Sequence, residues 1–174
     1  PGPIGFFQPG AGGRAAADLA NAPPTADEFL GRLQGLLGLG LLLLLAAALP
    51  PVDFDVREYH LQAPKEWFQQ GRISFLAHNI YANMPLGAEM HSLPAMAYWP
   101  GDDPWWWGAL IGKTVMAAYT LVAAAGVAAI VLRFGNPWGA AIAASAYLAC
   151  PGIQLFSSSG HNEGAVACYL CLVL

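Results

Sequence analysis

Long apolar stretches broken by short polar clusters set the pattern of this chain. Residues 30–49 are mostly apolar, carry Arg32 as their only charge and include five consecutive leucines, Leu41 to Leu45, before Pro50-Pro51 stops them. A bilayer's hydrocarbon core of ~30 Å needs about 20 such residues in a helix. The stretch is too long, and lies too far into the chain, for a cleaved signal peptide. Residues 106–132 form a second apolar stretch with Lys113 as its one charge, and Gly135-Asn136-Pro137 punctuates its end. Residues 138–156 form a third with no charge, where Pro151-Gly152 predicts a kink or a frayed turn. A fourth covers 164–174. The expected fold is all-α: a polytopic transmembrane helix bundle whose extracytoplasmic loop, 51–105, carries short juxtamembrane helices.

Two short helices are expected in that loop. Residues 64–71 begin with Pro64, tolerated in a first helical turn, and exit at Gly71; Trp67 and Phe68 suit a headgroup boundary. Residues 84–98 carry Leu86, Met90, Leu93 and Ala97 at helical spacing, interrupted by Glu89, His91 and Pro94. They read as lying on or dipping into the interface, with a short true span as the alternative. Trp105-Trp106-Trp107 marks an aromatic boundary. The first 29 residues, rich in Pro, Gly and Ala, read as a flexible arm or linker. A start at Pro1 without Met and an end inside an apolar run read as a piece of something longer.

Composition sharpens this picture. Of 174 residues, 56% are hydrophobic and 10% charged, against roughly 25% charged in ordinary soluble domains. A net charge of −4 offers no basic surface to nucleic acid. Placing Arg14, Arg32 and Arg133 on the cytoplasmic side puts loop 51–105 and turn 157–163 outside. All four histidines and eight of the 11 acids then gather on one face.

The chemistry is expected there. Asp53, Asp55, Glu58 and His60 follow the first span directly, and a helix starting after Asp55 would put Glu58 and Tyr59 on its face. Such carboxylates serve as a general base, as hard-oxygen ligands for a divalent cation, or merely as a solvated collar balanced by Arg57. His161 and Glu163 stand at the start of the fourth span, where an acid either caps the helix or does work. Lys113 is expected to snorkel to the outer boundary or to meet a lipid phosphate within the bundle. Three other patterns are set aside. Gly108 to Thr114 is one residue short of a phosphate loop, and Cys168-x-x-Cys171 has no second pair. The pairs Gly108/Gly112 and Gly160/Gly164 read as helix-packing surfaces.

The run Asp55 … Tyr59-His60-Leu61 … Pro64-Lys65 … Gly71-Arg72-Ile73, followed by Asn79, Tyr81, Asn83, Pro85 and Glu89-Met90, resembles the GT-C membrane glycosyltransferases. That group contains protein mannosyltransferases and aminoarabinose transferases, and the resemblance covers residues 30–174. It implies transfer of a sugar from a polyprenyl-phosphate donor at the outer face of a bacterial cytoplasmic membrane. It implies Asp55 as base or metal-associated carboxylate, with Glu58 and His60 beside it, and Glu163 as the acid of the next outer loop. A Mg²⁺ or Mn²⁺ ion would be held by Asp53, Asp55, His161 and Glu163, and the lipid phosphate met by Arg57, Lys65, Arg72 and Lys113. A transporter or channel subunit, with Lys113 and Glu163 lining a path, and a non-catalytic membrane scaffold are the competing readings.

Overall fold

The computed structural model describes residues 25–173; the N-terminal arm up to residue 24, Arg14 within it, and Leu174 lie outside the described residues. Every regular element among the described residues is helical. Helix α1 (Ala26–Ala47) opens on a capping box in which Thr25 Oγ1 accepts from the Glu28 amide and the Glu28 carboxylate accepts from the Thr25 amide. It closes before Pro50-Pro51. Its 22 residues span ~33 Å at the α-helical rise. Leu37, Leu41, Leu42 and Leu45 stand exposed along it, a surface suited to lipid.

Helix α4 (Pro104–Leu132) is the hub against which α1 and α3 (Ser92–Tyr98) pack, together with α5 (Pro137–Ala149), α6 (Pro151–Ser159) and α7 (Glu163–Val173). By length and composition α1 and α4 can cross a membrane, and α5 with α6 makes a third span if the bent pair is one. The pair bends by 59° at the expected Pro151 position, because Pro151 has no N–H to continue the ladder. Its two ends lie near opposite ends of α1. At one end the Arg32 guanidinium lies 3.8 Å from the Trp138 ring centroid. At the other, Ser157 Oγ accepts from Thr120 Oγ1 and His161 reaches Asp53 just beyond α1.

The 84–98 segment departs from expectation. Its α-helical part is only α3, seven residues long, with a rise of ~10 Å that is too short for a span. Its buried positions are Ser92 and Met96, not Ala97. The reason is the partner. A Cβ on Gly108 would collide with the Met96 backbone and one on Gly112 with the Ser92 Cα, so α3 sits directly on the glycine face of α4. Leu86, Met90 and Leu93 instead pack into the loop's own core with Ala63, Trp67, Leu76 and Ala82. Helix α2 (Gln62–Gln70) leaves through Gly71 in the left-handed region, as expected. Trp67 is buried, with Nε1 donating to the Ser74 carbonyl, so it anchors the loop rather than meeting a headgroup layer. Gly160 and Gly164 also mark close approaches, the first to Lys113 and Val56 and the second to Thr120.

Candidate functional site

The site forms where the chain leaves α1 and where α6 hands over to α7. Asp53 Oδ1 accepts from the amides of Asp55 (3.0 Å) and Val56 (3.3 Å), which fixes the entry to a single π-helical turn, Val56–His60. That turn closes through the Leu61 amide on the Val56 carbonyl. Its ring holds one residue more than an α-helical ring, and this changes which side chains share a face. Asp55, Tyr59 and His60 line one cavity, while Arg57 and Glu58 line another. The α-helical expectation of Glu58 beside Asp55 is corrected accordingly.

The first cavity, about 480 Å³, is closed on its far side by His161, Asn162 and Glu163, and along one wall by Met84, Pro85 and Leu86. Gly160, at φ 110°, ends α6 and turns the chain so that His161 faces the loop. Ser159 Oγ lies 2.7 Å from His161 Nδ1, and His161 Nε2 lies 3.5 Å from Asp53 Oδ1. Carboxylate oxygens of Asp53 and Asp55 and a ring nitrogen of His161 all lie within 4.8 Å of one another. The donor set fits a divalent cation with a taste for mixed oxygen and nitrogen ligands. The Ser159 hydroxyl on the other ring nitrogen is the kind of outer contact that orients a metal-binding imidazole. Glu163 lines the same cavity from the first turn of α7 but stands outside this close set.

His60 is the buried partner of the cavity. Its Nδ1 meets Glu89 Oε1 at 2.6 Å, with Glu89 fully buried. Nε2 is the ring nitrogen left outside this contact. The imidazole lies 4.2 Å, centroid to centroid, from Tyr59 and 5.4 Å from His161. Burial, and then the charges of Asp55, Glu163, Glu89 and Asp53, hold the Tyr59 phenol above its ordinary pKa. Glu89 was legible in the sequence only as an interruption of an apolar run. An ionisable residue in such a run is itself a pointer to function.

The expected phosphate contacts do not converge. Arg57 and Lys65 line the second cavity with Trp105 and Trp106. Arg72 is exposed beyond α2 and lines neither cavity. Lys113 is 2% exposed, and its Nζ donates to the Leu49 carbonyl at 2.7 Å. The end of α1 leaves that carbonyl without an intrahelical donor, and the ammonium satisfies it.

Among the described residues the molecule is thus all-helical, with two or three candidate membrane-spanning helices and a carboxylate–imidazole cavity where the chain leaves α1. No family model matches it, and no curated protein or solved structure shows significant similarity to it.

Proposed function

We propose that this protein is a GT-C-type membrane glycosyltransferase, moving a sugar from a polyprenyl-phosphate-linked donor to an acceptor at the extracytoplasmic face of a bacterial cytoplasmic membrane. The observation that carries the reading is that Asp55 and Glu163, far apart in sequence, line one cavity beside His60 and His161.

Glycosyl transfer from a lipid phosphate forms a bond from the acceptor oxygen to the anomeric carbon and breaks the bond from that carbon to phosphate. The acceptor hydroxyl must lose a proton, and the departing phosphate oxygen gains charge. The Asp55 carboxylate is exposed to the cavity and takes no hydrogen bond from the described residues, so it is the group available as base. His60, held through Nδ1 by Glu89, offers its other nitrogen on the same cavity wall. Asp53 and His161, with one of the two Asp55 oxygens, would hold Mg²⁺ or Mn²⁺, which would supply positive charge to a phosphate leaving group. A donor delivered by the membrane needs no nucleotide-binding motif.

A transporter would set Lys113 and Glu163 along one path. Lys113 instead binds the Leu49 carbonyl, and only the bend between α5 and α6 favours that reading. The deciding experiment follows sugar release from a polyprenyl-phosphate donor by membranes containing the protein or its Asp55→Asn variant. The variant is expected to lose at least ~100-fold in turnover, the usual reach of one general base. Equal turnover would remove Asp55 from the mechanism.

A further inference from the structure

Lys113 is the sole charge of α4, buried and without a salt bridge to any described residue. A buried ammonium with no counter-ion is costly, and its contacts show what it holds. They reach the two segments that form the Asp53, Asp55 and His161 set. Nζ donates to the Leu49 carbonyl, four residues before Asp53. The methylenes lie against Gly160, the residue before His161: a Cβ built on Gly160 would come within 2.9 Å of Lys113 Cγ and 3.1 Å of its Cδ. Val56, fully buried, closes the third side with its Cγ1 3.0 Å from the same point. The Val56 amide is in turn one of the two that donate to Asp53 Oδ1. Gly160 has φ 110°, a left-handed conformation open to glycine, so the close approach of Lys113 and the backbone both exclude a side chain there.

We propose that Lys113 is a positioning residue: it braces the exit of α1 against the turn between α6 and α7, and so sets the spacing of Asp53 and Asp55 on one side from His161 on the other. This role rests on the metal-assisted function proposed for that cavity and adds what keeps its ligands in register. The direct contact across the gap, His161 Nε2 to Asp53 Oδ1 at 3.5 Å, is too long for a good hydrogen bond and does not fix the separation by itself. The Lys113 tether is 2.7 Å long, charge-assisted and shielded from water, which makes it the stronger link. The last carbonyls of α1 also carry the negative end of its dipole, which favours an ammonium there. Ligand atoms of the three residues lie within 4.8 Å of one another, and coordination at ~2.0–2.6 Å leaves little room for drift between the two segments. Lys113 acts here through Leu49 and Gly160, not by touching the ion or the substrate.

The test compares the full chain with its Lys113→Met variant in nanodiscs, since Met keeps methylenes against Gly160 and loses the donor to Leu49. Hydrogen–deuterium exchange reads the brace with no metal added. Amides of residues 53–57 and 160–163 are expected to exchange about 10-fold faster in the variant, while those of residues 30–40 in α1 keep their rates. Titration with Mn²⁺, followed by electron paramagnetic resonance, should show affinity lowered by about 10-fold, the usual loss when a residue that orients ligands is removed. The spin-echo modulation from an imidazole nitrogen, expected in the Mn²⁺ complex of the parent protein, should weaken or vanish as His161 leaves the ion. Lys113→Gln, whose amide is too short to reach Leu49, takes the place of Lys113→Met if that variant does not fold, with the same results expected. Unchanged exchange at both segments overturns the proposal. Faster exchange spread evenly over the chain, or failure of both variants to fold, also overturns it by making Lys113 a general stabiliser. Faster local exchange with Mn²⁺ affinity and nitrogen modulation unchanged overturns the role at the ligand set. A parent protein that binds no Mn²⁺ overturns the metal-assisted function instead, and the exchange rates then decide alone whether Lys113 holds the two segments together.

Discussion

His60 and Glu89 meet at 2.6 Å inside the protein, His60 4% and Glu89 0% exposed. The second carboxylate oxygen of Glu89 is buried with no hydrogen-bond partner among the described residues. An acid in that position is costly, and the imidazole is its one side-chain partner. Glu89→Ala is expected to destabilise the fold by about 3 kcal/mol, because it strands a buried polar ring. His60→Ala should cost a similar amount, and the double variant little more than either single one. Thermal unfolding in detergent, followed by circular dichroism, gives all three values. Additive losses would show that the two residues act independently.

Asp53, Asp55 and His161 should bind Mn²⁺ as a set. Electron paramagnetic resonance of free Mn²⁺ gives the affinity. Asp53→Asn, Asp55→Asn and His161→Gln should each weaken binding by more than the neutral change His78→Gln, which sits away from the cluster on Glu66. Ser159→Ala should weaken it by about 10-fold through loss of the His161 orientation. Unchanged binding in the three ligand variants would move the ion elsewhere.

The glycine face of α4 makes a prediction with its own control. A methyl group on Gly112 would lie 2.8 Å from the Ser92 Cα and closer still to its hydroxyl, so Gly112→Ala must push α3 away from α4. A loss of about 1–3 kcal/mol is expected from such overpacking. A methyl group added to Gly38 on α1 would meet nothing within 4 Å, and Gly38→Ala should be neutral or stabilising by up to ~1 kcal/mol. Unfolding midpoints of the two variants should therefore move in opposite directions or differ clearly in size.

Tyr59 ties stability to alkaline pH. Its phenol has a raised pKa in the folded protein, from burial and from the carboxylates of Asp55, Glu163, Glu89 and Asp53. The native state therefore holds the phenolic proton more tightly than the unfolded chain. Its contribution is intact below the ordinary tyrosine value of about 10 and falls as pH rises through and beyond it. Tyr59→Phe should flatten that alkaline decline relative to the parent protein. An identical slope in both would place the effect on another group.

Much of the helical plan was legible in the chain. Pro50-Pro51, Pro104, Pro137 and Pro151 each fall where a helix ends or begins, because a residue without an N–H acts locally whatever surrounds it. The gathering of Asp53, Asp55, His60, His161 and Glu163 at one end of the bundle was legible too, since apolar stretches leave ionisable residues only the ends. The fate of Lys113 was not. A lone cation in an apolar stretch looks ready to snorkel until the Leu49 carbonyl, from another part of the chain, comes within 2.7 Å.

The sequence by itself determined which stretches are helical and apolar, where they break, and which chemical groups stand between them. Hydropathy and the proline breaks are properties of neighbouring residues and need no fold to act. Only the tertiary structure decided that Glu89 belongs to His60, that α3 rests on Gly108 and Gly112, and that one wide turn puts His60 rather than Glu58 on the Asp55 side. Those outcomes depend on backbone register and on close approach between distant segments, and spacing along a single chain does not encode either one.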